Sequence, residues 1–519
     1  MRDGNSIFWN GFPEKCSTWN ISSSCLQLDD FMTIRKPKKA GAEDAFRGAG
    51  SKLRPKRGPK VPMDFRWDGL GGPLRIYSGA SSAVLPFFTH GIRRFSIGGR
   101  FMGFPRLAFQ ALAVLAAMAM ALGLAPGALA AGKKEVLYSF KGGDDGKYPT
   151  YPGLVFDKAG NLYGMTFDGG KYGLGTVFEL KPNKDGSWTE TVIHTFAGNL
   201  DGADPFSGLV IDSAGNLYGT TYFGGGLGSC SDGGCGTVFR LSPGRNGEWS
   251  ETILRSFDNG IYGGNLSVSL ILDASGNLYG AAEGGNRCQQ DSCGVVFELV
   301  RAARAPRREK LLYSFHGGDG WFPQSPLIFD ANGNLFGTTY GGGPDNAGVV
   351  FELQPAKRGL WEETVLQAFT HVTQGFGPSG LLALDARGNL YGSTQNGGKY
   401  PCDGPGCGVI YELAHGSWQE TIIHEFRGRD FKGMSDPTSG VAFDSSGNLY
   451  GAATGTALYP GGIFQLTPRQ GGTWKETLIS KFPVDVSPGM VVYGLDGDRY
   501  GVSYGGGKYN LGAVFRIKP

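Results

Sequence analysis

The chain has 519 residues, of which 89 are Gly and 18% are charged, and its formal net charge is +3. Because Gly is a poor helix former, this composition excludes a mainly helical protein, and the lack of Gly at every third position excludes collagen. Hydrophobic residues make up 40% of the chain, which excludes plain disorder and predicts many short strands joined by Gly-rich turns.

The charge is unevenly distributed along the chain. Residues 1–101 contain 17 basic and 8 acidic side chains, a net charge of +9, so residues 102–519 carry −6. A nucleic-acid partner needs a basic surface, which the acidic body of the chain does not offer. The basic N-terminal region could be a nucleic-acid-binding arm, but it adjoins an export signal, and we expect no nucleic-acid partner.

Residues 102–131 have the features of a secretory signal peptide. Arg106 precedes an apolar run that ends at Leu124, Pro126 then breaks the run, and Ala128-Leu129-Ala130 forms a small-residue cleavage site. A transmembrane anchor is the alternative, since the run approaches the length that spans a bilayer. The Pro and the A-x-A ending favour cleavage. We therefore expect a secreted, periplasmic or cell-surface protein with no membrane span after signal removal.

The position of this signal makes residues 1–101 anomalous, because a signal peptide normally begins near the N-terminus. These residues have no sustained period of 2 or 3.6, and they contain basic, Pro- and Gly-rich stretches such as KLRPKRGPKVP. We interpret them as an unstructured leader. Our hypothesis is that the assigned coding region starts too early and that translation begins at Met102. Cys16 and Cys25 belong to this leader and enter no prediction.

Residues 132–519 form a tandem repeat. Its clearest motif is Gly-Asn-Leu-Tyr-Gly, which becomes GNLFG in the fourth copy and GDRYG in the seventh. The seven copies occupy residues 160–164, 215–219, 276–280, 333–337, 388–392, 447–451 and 497–501. Successive copies are 50 to 61 residues apart. A regular period of this size predicts a solenoid or a propeller.

Each repeat contains four strand-like runs rich in Val, Ile, Leu, Thr, Tyr and Phe, which is the composition of one four-stranded propeller blade. The sequence EVLYSF at 135–140 matches the fourth strand of a unit, whereas the last unit stops after its third strand, AVFRIK at 513–518. We therefore predict an all-β, seven-bladed β-propeller of four-stranded antiparallel blades, closed by the N-terminal strand completing the last blade. An open solenoid would need capping repeats.

The repeat pattern P-x-x-G-L-V-x-D-x-x-G-N-L-Y-G-T-T-x-x-G-G-x-x-x-G-T-V-F-E-L resembles the tandem repeat of the choice-of-anchor tandem repeat GloVer-containing family. The resemblance covers residues 135–519 and is dense in six of the seven units. It implies an exported bacterial protein, often with a C-terminal anchoring segment. This chain ends at Lys518-Pro519 directly after a strand, so here the resemblance implies secretion rather than attachment.

An Asp begins the D-x-x-G-N segment in six of the seven repeats, at Asp157, Asp212, Asp273, Asp330, Asp385 and Asp444. Repeated carboxylates can bind calcium. We favour a structural hairpin turn, because Asp hydrogen-bonds its own turn backbone while Gly and Asn accept a positive φ. The seventh unit has Gly494 at this position, which also fits a dispensable turn residue.

Six cysteines form three C-x4-C pairs between the second and third strands of their units: Cys230 and Cys235, Cys288 and Cys293, and Cys402 and Cys407. Export places them in an oxidising compartment, which predicts three local disulfides. Zinc is the alternative. It needs four ligands gathered in space, and these pairs belong to separate blades without an adjacent His.

Two further repeated positions could carry function. Trp188, Trp249, Trp361, Trp418 and Trp474 precede the fourth strand and could stack sugars, but we favour packing against a neighbouring blade. His194 and His424 could be catalytic bases. Their repeat position also holds Tyr138, Arg255, Tyr313, Gln367 and Ser480. That variety is typical of a solvated face, and we expect no catalytic His.

The Gly-rich loops and the loops between blades fall on one face of the predicted propeller and carry most of the length variation. Variable loops on a rigid scaffold commonly hold function. We therefore predict a ligand face there, with these candidate contacts: Asp144, Asp145, Asp201, Asp204, Asp319 and Trp321.

Two classes of function remain open at this point. One is a secreted binding or scaffold module for an extracellular glycan or protein; the other is an extracellular carbohydrate-active hydrolase or lyase. An enzyme would need singular acid and base residues, where this chain shows repetition, and it has no G-x-S-x-G, H-E-x-x-H or phosphate-loop motif in its repeats. We favour the binding module, as a monomer, and expect no catalytic residue, cofactor or metal.

Overall fold

The structure is a computed structural model that describes residues 132–519, with gaps at residues 152, 229, 231–232, 286–293, 303–305, 371–373, 401, 403–405, 429–433, 455–459 and 485. The predictions for the leader and the signal peptide, residues 1–131, lie outside the described residues. In the part of the chain that the structure covers, no helix has the length and apolar character that crossing a bilayer requires.

Seven antiparallel sheets form the seven blades of a propeller, as the repeat predicted. Strand β1 (Lys134–Ser139) precedes the first blade. Blade 1 contains β2 (Lys147–Pro149), β3 (Val155–Phe156), β4 (Leu162–Asp168), β5 (Thr176–Pro182) and β6 (Trp188–Thr195). Blade 2 contains β7 (Val210–Ile211), β8 (Leu217–Thr221), β9 (Thr237–Pro243) and β10 (Trp249–Ser256). Blade 3 contains β11 (Ile271–Leu272), β12 (Leu278–Ala282), β13 (Val295–Val300) and β14 (Arg308–Ser314).

The remaining blades follow the same order. Blade 4 contains β15 (Trp321–Pro323), β16 (Ile328–Phe329), β17 (Leu335–Gly341), β18 (Val349–Pro355) and β19 (Trp361–Ala368). Blade 5 contains β20 (Phe376–Leu384), β21 (Leu390–Asn396), β22 (Val409–Leu413) and β23 (Glu420–Glu425). Blade 6 contains β24 (Val441–Phe443), β25 (Leu449–Ala453), β26 (Gly462–Pro468) and β27 (Trp474–Lys481). Blade 7 contains β28 (Val492–Tyr493), β29 (Arg499–Ser503), β30 (Ala513–Ile517) and β1. The helical segments include two single 3-10 turns, Gly143–Asp145 and Lys357–Gly359.

The first strand of a blade is its inner strand, and in every blade except blade 5 it consists of pieces of only two or three residues. Neighbouring first-strand segments hydrogen-bond directly across the blade boundary: Thr150 Oγ1 donates to Ser207 O at 2.8 Å, and Leu381 N donates to Ser439 O at 3.1 Å. In blades 1 and 4 this inner strand is split in two, so that β2 and β3 both pair with β4, and β15 and β16 both pair with β17. In blade 5 it is one strand, β20.

The ring closes through the N-terminal strand, which confirms the prediction. Strand β1 pairs antiparallel with β30, from Lys134 opposite Ile517 to Ser139 opposite Ala513. Arg516 Nη2 donates to Glu135 Oε2 at 2.8 Å across this pair. Closure completes the last blade and leaves β30 paired on both sides.

The core of each blade is built around the second Gly of the GNLYG motif and an aromatic ring from the third strand. A Cβ added to Gly164 would lie 2.5 Å from Phe178 Cζ, so no larger residue fits there. The seven rings are fully buried: Phe178, Phe239, Phe297, Phe351, Tyr411, Phe464 and Phe515.

The repeated Asp residues cap the hairpin turns, as predicted. Asp157 Oδ1 accepts from the backbone N–H groups of Ala159 and Asn161 at 2.8 and 2.9 Å, and Gly160 has a φ of 87°. The same pair of backbone contacts recurs at Asp212, Asp273, Asp330, Asp385 and Asp444.

The repeated Trp residues pack on the preceding blade, which confirms that interpretation for four of them. Trp249 lies edge-on to Tyr163 at 5.6 Å between ring centroids, and Trp188 lies edge-on to Tyr500 at 5.9 Å. Trp474 lies edge-on to Tyr391 at 6.0 Å, and Trp418 contacts Phe336 at 6.0 Å in a tilted arrangement.

Candidate functional site

The loops that join the second and third strands, and those that join one blade to the next, emerge on one face of the ring, which we call the loop face. The Asp-capped hairpin turns lie on the opposite face, because antiparallel strands alternate in direction. This arrangement follows from the strand order in every blade.

One position in the loops between blades has a positive φ. It is occupied by Tyr148, Asp204, Asn265, Phe322, Gly377 and Asp436, with φ between 52° and 63°. Non-Gly residues rarely adopt this conformation, and strained backbone of this kind occurs preferentially at functional sites. The surrounding structure holds the position by hydrogen bonds on both sides. For example, Asp204 N donates to Leu174 O of the preceding blade at 3.0 Å, and Asp204 O accepts from Tyr222 N at 3.1 Å.

Partly buried aromatic rings gather beside this position at the centre of the loop face. We call this group the aromatic arc, and it comprises Tyr148, Tyr151, Phe167, Phe206, Tyr222 and Tyr504. Tyr148 stacks on Tyr504 at 4.7 Å with an interplanar angle of 12°, which joins blades 7 and 1. Phe167 lies edge-on to Phe206 at 5.7 Å, which joins blades 1 and 2.

A buried carboxyl group ends the aromatic arc at blade 3. Glu283 accepts from Ser267 Oγ at 2.5 Å, from Tyr222 Oη at 3.1 Å and from Gln324 Nε2 at 3.3 Å. Burial raises the pKa of Glu283, although these three donors oppose the shift. The donors hold the carboxyl group in one orientation beside the ring of Tyr222.

The aromatic arc was not predicted from the sequence. Its second-strand members follow the Gly-x-Thr segment of the repeat, at a position that holds Phe167, Tyr222, Glu283, Tyr340, Gln395, Thr454 and Tyr504. Chemical variety at this one position, three residues after a Gly that recurs in all seven repeats, is the signal that could have found it. The alternation of apolar and polar residues along a strand does not identify this position, because the position lies where the strand ends.

The structure places the predicted ligand-face residues at different depths. Asp204 occupies the strained position beside the aromatic arc. Asp145, Asp201 and Asp319 lie toward the outer strands instead, where each caps its own loop. Asp145 Oδ1, for example, accepts from Tyr138 Oη of β1 at 2.5 Å.

Two other predicted residues lie elsewhere on the loop face. Asp144 is exposed in the 3-10 turn before β2. Trp321 is partly buried against the blade 3–4 core, and its Nε1 donates to Asn346 Oδ1 at 2.5 Å. Whether any of the six residues binds a ligand stays a prediction.

The outer-strand position of His194 and His424 is not a solvated face, which corrects the sequence interpretation. In four blades the side chain at this position reaches the next blade, where it meets a Glu near the start of the outer strand; His194 Nε2 lies 3.6 Å from Glu251 Oε1. Tyr138 Oη lies 3.3 Å from Glu190 Oε2, Arg255 Nε lies 2.7 Å from Glu309 Oε2, and Gln367 Nε2 lies 3.0 Å from Glu420 Oε2. We call these contacts the blade junctions.

Burial raises the pKa values of the junction glutamates. The pKa of Glu309, Glu363 and Glu420 rises to about 7, and that of Glu190 rises to about 8 because Asp145 adds its negative charge. The pKa of Glu251 rises to about 10, again through burial and through the nearby Asp201. Burial also acts on Asp201, but hydrogen bonds with His194 and Glu251 lower its pKa overall.

Two of the predicted disulfides are present, Cys230–Cys235 and Cys402–Cys407, with Cα atoms 5.0 and 5.2 Å apart. The second Cys of each pair is fully buried, and its carbonyl accepts from the strained position of the next blade: Asn265 N donates to Cys235 O at 2.7 Å, and Asp436 N donates to Cys407 O at 3.1 Å. The disulfides therefore fix loops that support the centre of the loop face. Cys288 and Cys293 lie outside the described residues, and their disulfide stays a prediction.

A cleft lies away from the aromatic arc, at the outer rim of blades 5 and 6. Its volume is about 590 Å³. Its lining includes Lys399, Glu425, Arg427 and Glu476, and Lys399 Nζ lies 3.3 Å from Glu425 Oε1. Charges of both signs partly neutralise each other there, so we place the candidate site at the aromatic arc instead.

One family model matches the chain in sequence. The model of the Gloeobacter/Verrucomicrobia repeat matches residues 127–303 and 228–432, which together span more than half of the chain. No curated protein matches the chain in sequence.

Solved structures with a similar fold include an ulvan lyase of polysaccharide lyase family PL25, at 12% identity and a TM-score of 0.45 over 74% of this chain and 95% of the lyase. An ancestral GH74 enzyme has 13% identity and a TM-score of 0.47 over 72% of this chain and 48% of the enzyme. A gluconolactonase from Xanthomonas campestris has 14% identity and a TM-score of 0.36 over 76% of this chain and 92% of the gluconolactonase. No inference about function rests on similarities of this size.

Proposed function

The chain belongs to the Gloeobacter/Verrucomicrobia repeat family, and from this premise we propose that it is a carbohydrate-binding protein whose ligand lies on the aromatic arc. The observation that carries the proposal is the gathering of partly buried rings from three consecutive blades at the centre of the loop face. Recognition sites commonly combine aromatic walls with a few fixed polar groups. The aromatic arc supplies the walls, and Glu283 and Asp204 supply carboxyl groups beside them.

The charge of the chain favours a neutral glycan. Residues 102–519 carry a net charge of −6, and carboxyl groups flank the aromatic arc. A uronate or sulfate group would be repelled there, whereas sugar hydroxyls can donate to the carboxyl oxygens while the ring faces contact Tyr and Phe.

We also propose that the protein acts outside the cytoplasm. The Cys230–Cys235 and Cys402–Cys407 disulfides support this, because such bonds form and persist in oxidising compartments. Detection of the chain in the cytoplasmic fraction with the segment 102–131 still attached would contradict it.

A glycan array with the purified protein tests the proposed ligand class. We expect neutral oligosaccharides to bind and sulfated or uronate-rich ones to bind weakly. Tyr222→Ala and Phe206→Ala should each lower the affinity for the best ligand about tenfold, which corresponds to about 1.4 kcal/mol of binding free energy. The matched control is Phe156→Ala. Phe156 is a partly buried aromatic residue of blade 1, like Phe167, but it packs on Tyr500 outside the aromatic arc.

The array also separates this proposal from its competitors. Equal binding by all three variants, or binding confined to anionic glycans, would reject the aromatic arc as a site for neutral sugars. Cleavage of a bound oligosaccharide during incubation would instead identify the chain as a hydrolase or lyase.

A further inference from the structure

We propose that His194, Asp201 and Glu251 form a binding site for a divalent transition-metal ion such as Zn²⁺, at the blade junction between blades 1 and 2. His194 lies on β6 and Glu251 lies on β10, while Asp201 belongs to the loop that leaves β6. The site is on the outer rim and is separate from the aromatic arc. It departs from the sequence-based expectation that the chain binds no metal.

The distances among the three side chains suit one small cation. His194 Nε2 lies 3.2 Å from Asp201 Oδ1 and 3.6 Å from Glu251 Oε1. The three potential ligand atoms all lie within 4.8 Å of one another. A tetrahedral zinc ion with bonds of about 2.0–2.2 Å holds its ligand atoms about 3.3–3.6 Å apart, close to the two measured separations.

Two of these atoms are buried and contact ionisable groups of the same cluster. His194 Nε2 and Glu251 Oε1 have no well-aligned hydrogen-bond partner among the described residues outside the cluster. Buried polar atoms are rarely left in this state, and an ion is one of the explanations for those that are. The side chains are not sealed off, since each is 17% exposed, so an ion can reach them.

Contacts behind the three groups hold them in position. Asp201 Oδ2 accepts from Ala197 N at 2.6 Å, which leaves Oδ1 facing His194. The His194 ring packs edge-on against the buried Phe196 at 4.8 Å. Outer contacts that orient ligands in this way are a regular feature of metal sites.

The other blade junctions provide an internal comparison. Where Tyr138, Arg255 or Gln367 replaces His194, the side chain donates a hydrogen bond or forms an ion pair with the junction Glu directly. In the residues that the structure describes, this is the one group of three or more His, Cys, Asp and Glu side chains close enough to share an ion. Imidazole together with carboxylates favours zinc or a similar transition ion over calcium or magnesium.

Isothermal titration of the chelator-treated protein with Zn²⁺ tests the site. We expect one ion per chain at micromolar concentration, and a rise in the melting temperature when the ion is present. His194→Ala and Glu251→Gln should each weaken binding by at least tenfold and abolish that rise. Gln367→Ala is the matched control, because it removes the equivalent contact of another blade junction and should leave Zn²⁺ binding unchanged.

Several outcomes would overturn the proposal. One is that the protein does not bind Zn²⁺ at micromolar concentration, and another is that both variants bind it as the wild type does. A third is that Ca²⁺ binds as tightly as Zn²⁺ and still binds after His194→Ala. If His194→Ala fails to fold, the near-isosteric Glu251→Gln decides the question. A purely structural role would alter the melting temperature of these variants equally with and without the ion.

Discussion

At the scale of single residues, the main cost in this fold is a buried carboxyl group at most blade junctions. Burial between outer strands raises the pKa of five junction glutamates: Glu190, Glu251, Glu309, Glu363 and Glu420. Moving an ionised carboxylate out of water costs free energy unless it is fully paired. These residues therefore make the stability of the ring depend on pH.

The pH dependence can be tested at Glu363, whose pKa rises from 4.5 to about 7 through burial and the charge of Asp319. Below pH 4.5 the carboxyl is protonated in both the folded and the unfolded chain. Between pH 4.5 and 7 the unfolded chain binds fewer protons than the folded one, so stability falls as the pH rises and the loss is complete above the folded pKa. Glu363→Gln cannot ionise, and we expect it to raise the free energy of unfolding at pH 8 by about 1 kcal/mol, after allowing for screening by solvent.

Urea unfolding at pH 4 and pH 8 measures this effect. Glu362→Gln is the control, because Glu362 is the adjacent, exposed residue of the same strand and should change stability little at either pH. Destabilisation of Glu363→Gln by the same amount at both pH values would show that the carboxyl group contributes hydrogen bonds rather than a burial cost.

At the scale of the blade, one departure from the repeat stands out in blade 5. Six blades place a Phe ring over the motif Gly, whereas blade 5 has Tyr411 over Gly392. Tyr411 is fully buried, and its hydroxyl has no hydrogen-bond partner among the residues that the structure describes. An unpaired buried hydroxyl group lowers stability relative to an apolar residue of the same shape.

Removal of that hydroxyl group should stabilise the protein. We expect Tyr411→Phe to raise the free energy of unfolding by about 1 kcal/mol. The reverse change in an equivalent ring, Phe351→Tyr, should lower it by about 1–3 kcal/mol. Thermal and urea unfolding of both variants measure the differences, and a loss of stability in Tyr411→Phe would mean that the hydroxyl group is satisfied in solution.

The elements that could be predicted from sequence are those that recur within one repeat. The Asp157-type turns, the Gly164–Phe178 packing partners and the pairing of β1 with β30 all follow from aligning the repeats with one another. The aromatic arc and the blade junctions could not be found in that way. They depend on which residue of one blade meets which residue of the next, and a pattern of alternation within one strand carries no information about a neighbouring blade.

At the scale of the whole molecule, stability depends on closing the ring with β1. The two ends of the described chain meet there, since Lys518 N donates to Lys133 O at 3.2 Å. The β1–β30 pair also includes the Arg516–Glu135 ion pair. Loss of β1 would expose the edge of β30, whose residues Ala513 and Val514 are buried, and an exposed apolar edge promotes aggregation.

Deletion of residues 134–139 should therefore cost more than about 3 kcal/mol and produce aggregates. A circular permutant that begins at residue 141 and carries residues 132–140 after Pro519 is the control. It keeps every strand and should melt within a few degrees of the wild type, because permutation at adjacent termini is tolerated. Unfolding curves and size-exclusion chromatography measure both proteins, and equal stability of the deletion variant would contradict closure by β1.

The central claim is that the aromatic arc is where this propeller binds its glycan. Hydrogen–deuterium exchange with and without the best ligand from the array tests it most directly. We predict ligand-dependent protection in segments 147–151, 204–206 and 222–224, with no change in the Asp-capped hairpin turns such as 157–161. Protection confined to those turns or to the outer strands, with the three loop-face segments unchanged, would contradict the claim.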